Sequence, residues 1–416
     1  LFHSAPTKPC PPACGGSHLP DVTLVTAIDD GRGRHLGWVA SRAHHAEIGG
    51  IAPGSMPPRA TCLAEEGVVI PPLLLVRDGE ARWDAVREVL TRAPHPTRAL
   101  EDNLADLAAA LAANRRGARA VASLGLELGA DALIELMRAL AERAGAALER
   151  ALARLGPWER AAEDRLDDGT RIALRLASDG ERLRVDFSGT ANTHPGNLNA
   201  TPAIARSALL YVLRLLVDEP LPLNEGLFGP VDLVLPAGLL APNFPDDPEH
   251  APAVVGGNVE TSQRLVNLLL RALGLSAGSQ GTMNNVVFGD STHSYYETIA
   301  GGCGAGPGFD GASAVHSHMT NTRITDPEIL ERRYPVRLER FAIRRGSGGA
   351  GRWRGGDGIV RAVRFLAPME LSLLTQHRSE GPAGAEGGAP GAPGRQTITR
   401  TDGAVRELEA IDGASV

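Results

Sequence analysis

His18 and Asp21 stand three residues apart in "GGSHLPDVTLV", and His44 and His45 follow closely in "SRAHHAEIGG", although the whole sequence has only 12 histidines. Imidazole and carboxylate together make a borderline donor set suited to Zn²⁺, Mn²⁺ or Fe²⁺. Three protein ligands with open positions for water or substrate are what a catalytic metal site needs. Any one of these histidines, taken alone, reads as a surface or core residue; the argument rests on their clustering. Adjacent side chains on an extended segment point to opposite sides. One of His44 and His45 is therefore expected to bind the metal, the other to orient or contact substrate, and both stay candidates. Glu47, two residues on, is a candidate general base, with His45 as its companion in catalysis.

Three further clusters could line a pocket. "SGTANTHPGNLNATP" gathers Asn192, His194, Asn197 and Asn199 around Pro195-Gly196, more amide and imidazole groups than one turn requires. In "VVGGNVETSQR" the pair Gly256-Gly257 leads into a helix whose first turn offers Asn258, Glu260, Thr261 and Gln263. Free N–H groups there suit an anion; a tight turn with a capped helix is the equal alternative. The stretch from Ser279 to Glu328 is dense in glycine and flanked by Asn284, Asn285, Glu297, His316, His318, Asn321 and Arg323, the composition of site-building loops. From these clusters Asn197, Asn258, Glu260 and Asn284 are the candidate substrate contacts. Cys303 in "GGCGAG" is expected to be a small buried residue rather than a nucleophile. Cys10 and Cys14 in "CPPAC" form a lone pair, a weak zinc signal.

The elements that must position these groups are legible in outline. "VTLVTAI", "DDGRGRH" and "LGWVA" read as strand, turn and strand, which puts His18 and Asp21 at one foot of a hairpin and His44 and His45 at the other. From Glu101 to Leu155 an Ala/Leu-rich helical segment carries Leu133, Leu136, Met137, Leu140, Ala144, Leu148 and Leu152 as a packing stripe. "RIALRLASDGERLRVDF" alternates as a second hairpin, and helices are expected over 202–217 and 259–273, the latter capped by Asn258. The class is α+β, with mixed β-sheet lobes, the helical segment and Gly-rich site loops. The expected organisation is a β-rich metal-site region over 1–95, helices over 96–165 and a mixed α/β core over 166–416, read as a piece of something longer at both ends.

At 416 residues the chain exceeds the roughly 250–300 at which one core stops growing. A net charge of −7 without a basic, aromatic-studded stripe argues against nucleic acid. No apolar run approaches the ~20 residues of a membrane helix. Four scattered cysteines suit a reducing cytoplasm rather than a disulfide framework.

The strings "GGSHLPDVT", "RAHHAEIGGIAPGSMPP", "DFSGT", "HPGNLNA", "VVGGNVETSQR", "SQGTMNN", "YYETIAGGCGAGPGFDG" and "HMTNTRITDPE" resemble the hydantoinase B / 5-oxoprolinase family, from Gly15 to about Gly394. "KPCPPAC" stands where that family's stretch reads like "NDPY". The resemblance implies an oligomeric assembly in which a hydantoinase A-type partner uses ATP to phosphorylate the oxygen of a cyclic amide. The B-type part then opens the activated ring with water, giving glutamate from 5-oxoproline or a carbamoyl amino acid from a hydantoin. It also implies a divalent metal held by the His and Asp of "HLPD" and a histidine of "HH", which here are His18, Asp21 and His44 or His45. A related carboxylase-type subunit acting on acetone or acetophenone, or an inactive remnant that only binds the A-type partner, is the alternative.

Overall fold

The computed structural model describes residues 16–320 and 322–416, so the Cys10–Cys14 pair, the "KPCPPAC" stretch and Asn321 lie outside the described residues. The chain is α+β. Its first element is the expected hairpin, with strands Asp21–Asp29 and His35–His44 paired antiparallel. Asp30 closes its turn by accepting from the Arg32 and Arg34 backbone N–H groups.

The helical segment is two helices, Leu100–Leu128 and Ala130–Leu155, parted at Gly129 with φ +87°. Only a residue without Cβ adopts that backbone cheaply. The first helix lays Leu104, Leu107 and Leu111 on the hairpin against Leu19 and Leu24. Asn103 and Asn114 fall on the same stripe at helical spacing and are buried too. The packing stripe expected on the second helix is only half realised. Leu133, Ala144, Leu148 and Leu152 are buried, whereas Leu136, Met137 and Leu140 face solvent, because the neighbours that cover the two ends leave the middle turns uncovered.

The central sheet runs Trp158–Arg165, Arg171–Ser178, Leu183–Asp186 and Val231–Val234, with the last pair parallel. Ile172, Leu174, Leu176, Leu183, Val185 and Phe187 turn inward from it onto helices Pro202–Leu216 and Ser262–Ala272 and onto the buried end of the second long helix. Each such side chain is worth roughly 1.5–3 kcal/mol of burial. A second four-stranded sheet, in the order Ser294–Thr298, Asn285–Gly289, Glu370–Leu374 and Ile411–Ser415, faces the metal-candidate hairpin on one side. On its other side it faces the hairpin formed by Val336–Arg344 and Gly358–Phe365. Among the described residues no helix is long and apolar enough to cross a membrane.

The glycine-dense stretches pack backbone on backbone. A Cβ on Gly302 would overlap the Gly356 carbonyl oxygen, and one on Gly356 would overlap the carbonyl of Ala312. These segments, with Gly381–Gly394, line a groove of about 1710 Å³ on the far face of the second sheet. Their glycines serve close approach of one chain segment to another.

Candidate functional site

Asp21 and His44 are direct partners at the open end of the first hairpin. The turn "HLPD" brings His18 back onto them, with Asp21 N–H donating to the His18 carbonyl at 3.2 Å and His45 N–H to that of Pro20 at 2.8 Å. The Asp21 carboxylate lies between the two rings, Oδ2 3.1 Å from His18 Nδ1 and Oδ1 3.3 Å from His44 Nδ1. Ser17 Oγ also donates to Oδ2 at 2.5 Å. The three side chains each offer one ligand atom within 4.8 Å of the others, and among the described residues this is the only such group. Exposure climbs across it, from 1 % for the His18 side chain through 18 % for Asp21 to 30 % for His44. One side of the group is thus closed and the other open to an incoming molecule.

The electrostatics suit a cation. Burial alone would raise the Asp21 pKa, but charge and hydrogen bonding from His18 and then His44 outweigh it and hold the carboxyl well below the usual carboxylate range. Burial lowers His44, although its hydrogen bond to Asp21 opposes the shift. A charged carboxylate and a neutral imidazole are the forms in which these groups bind metal. His18 Nδ1 is buried and has no aligned hydrogen-bond partner despite its closeness to Asp21. A buried polar atom whose hydrogen bond is poorly made is costly unless the site has a further use for it. A borderline N,N,O donor set with an open side therefore fits a divalent cation.

His45 points the other way, as alternation requires. It is buried, donates from Nδ1 to Asn103 Oδ1 at 2.6 Å and is not part of the three-residue group. This corrects the expectation of His45 as a ligand or catalytic companion: it ties the hairpin foot to the long helix. Glu47 is corrected likewise. Its Oε1 accepts from Gly49 N–H and Arg98 Nη1, and its Oε2 accepts from Thr97 Oγ1 and Arg98 N–H. With four donors at 2.7–2.8 Å around it, the carboxylate is a loop lock rather than a base free to take a proton. Asn103 completes the knot by donating to the Glu47 carbonyl and Thr97 Oγ1. Asn114 holds the hairpin further along through the Leu24 carbonyl.

The facing wall comes from the start of the helix that follows Gly256-Gly257. Residues Gly257–Thr261 form a π-turn, so Asn258 lies inside the helical run and is not its cap. The glycine pair offers no free anion cradle: Gly257 N–H already donates to the Asn197 carbonyl, and a Cβ there would overlap the Asn199 carbonyl. Asn258 reaches His18, its Nδ2 3.4 Å from Nε2. Glu260 is fully buried, and its Oε1 accepts from Met283 N–H and Asn285 Nδ2. Asn285 in turn accepts from the Tyr296 hydroxyl at 2.8 Å, and the Tyr296 ring stands 5.5 Å from that of His44. Burial pushes Glu260 up to about 8 despite these donors and the charge of Arg378, so at neutral pH it is a neutral acid.

Other expected contacts lie elsewhere. Asn197 is buried and donates to the Pro57 and Pro58 carbonyls, and Asn199 is consumed by the carbonyls of His194, Gly196 and Ala253. His194 pairs with Asp168. The supposed pocket wall is a set of backbone ties. Asn284, with φ +50°, bonds the Ile299 carbonyl and Arg378 and lines the large groove, not the histidine group. Cys303 is half-buried and lines the large groove, and burial pushes its thiol up. His318 bonds Asn267, and Arg323 is exposed. Sequence reasoning missed Tyr296, Asn103 and Arg98. Only Asn103 left a signal, an amide recurring with Asn114 in step with the apolar stripe of an Ala/Leu helix.

The sequence model of the hydantoinase B/oxoprolinase family matches residues 10–414. The 5-oxoprolinase of Dictyostelium discoideum is 44% identical over 402 residues, covering 94% of this chain and 31% of that protein. The chain spans about a third of the length of the curated 5-oxoprolinases it matches. Among solved structures, the ATP-dependent caprolactamase from Pseudomonas jessenii superposes with a TM-score of 0.80 at 22% identity, over 96% of this chain and 72% of that one. A nucleotide-free acetone carboxylase superposes with a TM-score of 0.81 at 18% identity, over 94% and 55%. At those identities the two structures share the fold. The family match over nearly the whole chain, on the fold and side chains just described, makes this chain a member of the hydantoinase B/oxoprolinase family.

Proposed function

We propose that the chain is the ring-opening part of an ATP-dependent cyclic-amide hydrolase of the 5-oxoprolinase type, acting in the cytoplasm with a hydantoinase A-type partner. The convergence of His18, Asp21 and His44 on one open-sided point carries this reading. An unstrained five-membered lactam is a poor electrophile, and transfer of a phosphoryl group from ATP to its oxygen, on the partner, activates the ring carbon. Water adds to that carbon, the ring C–N bond breaks as the nitrogen takes a proton, and a second water cleaves the acyl phosphate to carboxylate and phosphate. A divalent cation at His18, Asp21 and His44 would lower the pKa of water bound there. Around it, Asp21 supplies charge, His18 closes the inner side, and Tyr296, held by Asn285, stands over His44 where the ring would enter.

The test is the complex of the chain with an A-type partner, assayed for ATP-dependent glutamate release from 5-oxoproline beside acetone- and acetophenone-dependent ATP use. Glutamate and ADP formed together, and lost in His44→Ala, support the proposal. ATP use that responds to the ketones and not to 5-oxoproline would overturn it in favour of a carboxylase-type subunit.

A further inference from the structure

The first hairpin pairs without a shift from Asp21 to Ile28, so Thr23 stands opposite Arg42 just as Asp21 stands opposite His44. Side chains two residues apart on a strand share a face. Val22 and Leu24 turn inward to the long helix, which leaves Asp21, Thr23, Arg42 and His44 together on the outer face. Arg42 is exposed there, roughly 7 Å along the strand from His44. We propose that Arg42 is a specificity-determining residue of this site, binding a carboxylate carried by the ring substrate. This rests on the reading of His18, Asp21 and His44 as the place where the ring opens.

Charge is the first argument. A guanidinium is always protonated, and at this distance it repels a divalent ion held by the group. Arg42 therefore does nothing for metal binding, and Asp21 is the only carboxylate among the three candidate ligands. With a cation in place the outer face is positive, and an anion seated between ion and guanidinium is drawn to both. In 5-oxoproline the carboxylate is on the carbon next to the ring nitrogen, three bonds from the carbonyl carbon that water attacks. With that carbon over the group, the carboxylate reaches toward the next pair of residues on the ribbon, Thr23 and Arg42.

The geometry is the second. Arg42 Nε donates to Thr23 Oγ1 at 2.7 Å, which lays the guanidinium across the ribbon toward the strand that carries Asp21. Five N–H groups in a rigid fork let it keep Thr23 and still grip a carboxylate with two parallel bonds. A side chain steadied in this way loses less entropy when the ligand arrives. Tyr296, its ring 5.5 Å from that of His44 and its hydroxyl donated to Asn285, offers a face for a flat ring. A lactam without the carboxylate, or a simple ketone, gains nothing from Arg42.

The experiment titrates the full chain, Zn²⁺-loaded and ¹⁵N-labelled at arginine, with 5-oxoproline and with 2-pyrrolidinone, the same ring without its carboxylate. The Arg42 Nε–H signal is identified by its loss in Arg42→Gln. The proposal expects 5-oxoproline to shift that signal and to bind roughly 10–100-fold tighter than 2-pyrrolidinone. Arg42→Gln should abolish the preference without changing 2-pyrrolidinone affinity, and Arg42→Lys, a point charge without the fork, should restore part of it. In the complex with an A-type partner, Arg42→Gln should raise KM for 5-oxoproline by a similar factor and leave kcat within about threefold. No preference in the unaltered chain, or a preference in Arg42→Gln within about threefold of the unaltered one, overturns the proposal. If the complex releases no glutamate, the ring-opening reading falls, and the affinity ratio in the chain still decides the role of Arg42.

Discussion

Replacing Glu260 by glutamine separates a buried neutral acid from a substrate-binding anion. Glu260 is fully buried; its Oε1 accepts from Met283 N–H and Asn285 Nδ2, while Oε2 has no partner. Burial is the dominant influence and raises its pKa from 4.5 to about 8. The native state therefore holds a proton that the unfolded chain releases above about pH 4.5. Stability from this group is complete below that pH, falls as pH rises, and levels off above about 8. At about 1.4 kcal/mol for each pH unit across that interval, the loss reaches roughly 5 kcal/mol. Glutamine keeps the accepting oxygen, puts an N–H₂ where the acid carries its O–H, and cannot ionise. Urea unfolding of both proteins from pH 5 to 9, followed by circular dichroism, should show the variant gaining on the original by about 1.4 kcal/mol per unit up to pH 8 and then no further. Glu66, also buried and raised to about 8, is common to both proteins and cancels. A difference that stays flat with pH would refute the neutral-acid argument. A loss of turnover by two orders of magnitude or more in Glu260→Gln would restore the anion role.

Asp21→Asn keeps the size of the side chain but loses the charge between the two rings, so metal content measured by mass spectrometry of the purified protein should fall to background, with affinity down more than about 100-fold. Glu47→Gln breaks the lock on Arg98 and Thr97 and should cost about 2–4 kcal/mol in denaturant titration. Its turnover per folded molecule should stay within about twofold; a drop of 100-fold would reinstate Glu47 as a general base. Asn103→Leu leaves His45 Nδ1–H and the Glu47 carbonyl unpaired, and calorimetry should register a loss of about 1–3 kcal/mol. Gly302→Ala sets a methyl against the Gly356 carbonyl and should destabilise by about 1–3 kcal/mol while leaving metal content unchanged.

Local chemistry made much of this protein readable from its residues. The period-two alternation from Val22 to Val39 and the Asp/Gly turn fix the first hairpin, and antiparallel pairing then brings Asp21 opposite His44 whatever the rest of the fold does. The "HLPD" turn adds His18 by the same short-range logic. The second hairpin and the two long helices follow from alternation and from the apolar stripe. Which member of the His44-His45 doublet faces outward was not readable, since period two gives opposite sides but not which side is the interior. That is decided by the long helix, whose Asn103 lies more than fifty residues away and captures His45. The same distance hides the Thr97 and Arg98 donors that consume Glu47. Asparagine density gave no way to tell a pocket wall from backbone ties, because the partners of Asn197 and Asn199 are carbonyls on segments far off in sequence. Tyr296 reaches His44 only because a second sheet packs across the hairpin. Spacing within one ribbon determined the candidate ligands; long-range packing alone decided which polar groups were left free, since a hydrogen-bonding group is available for chemistry only when no distant neighbour has already satisfied it.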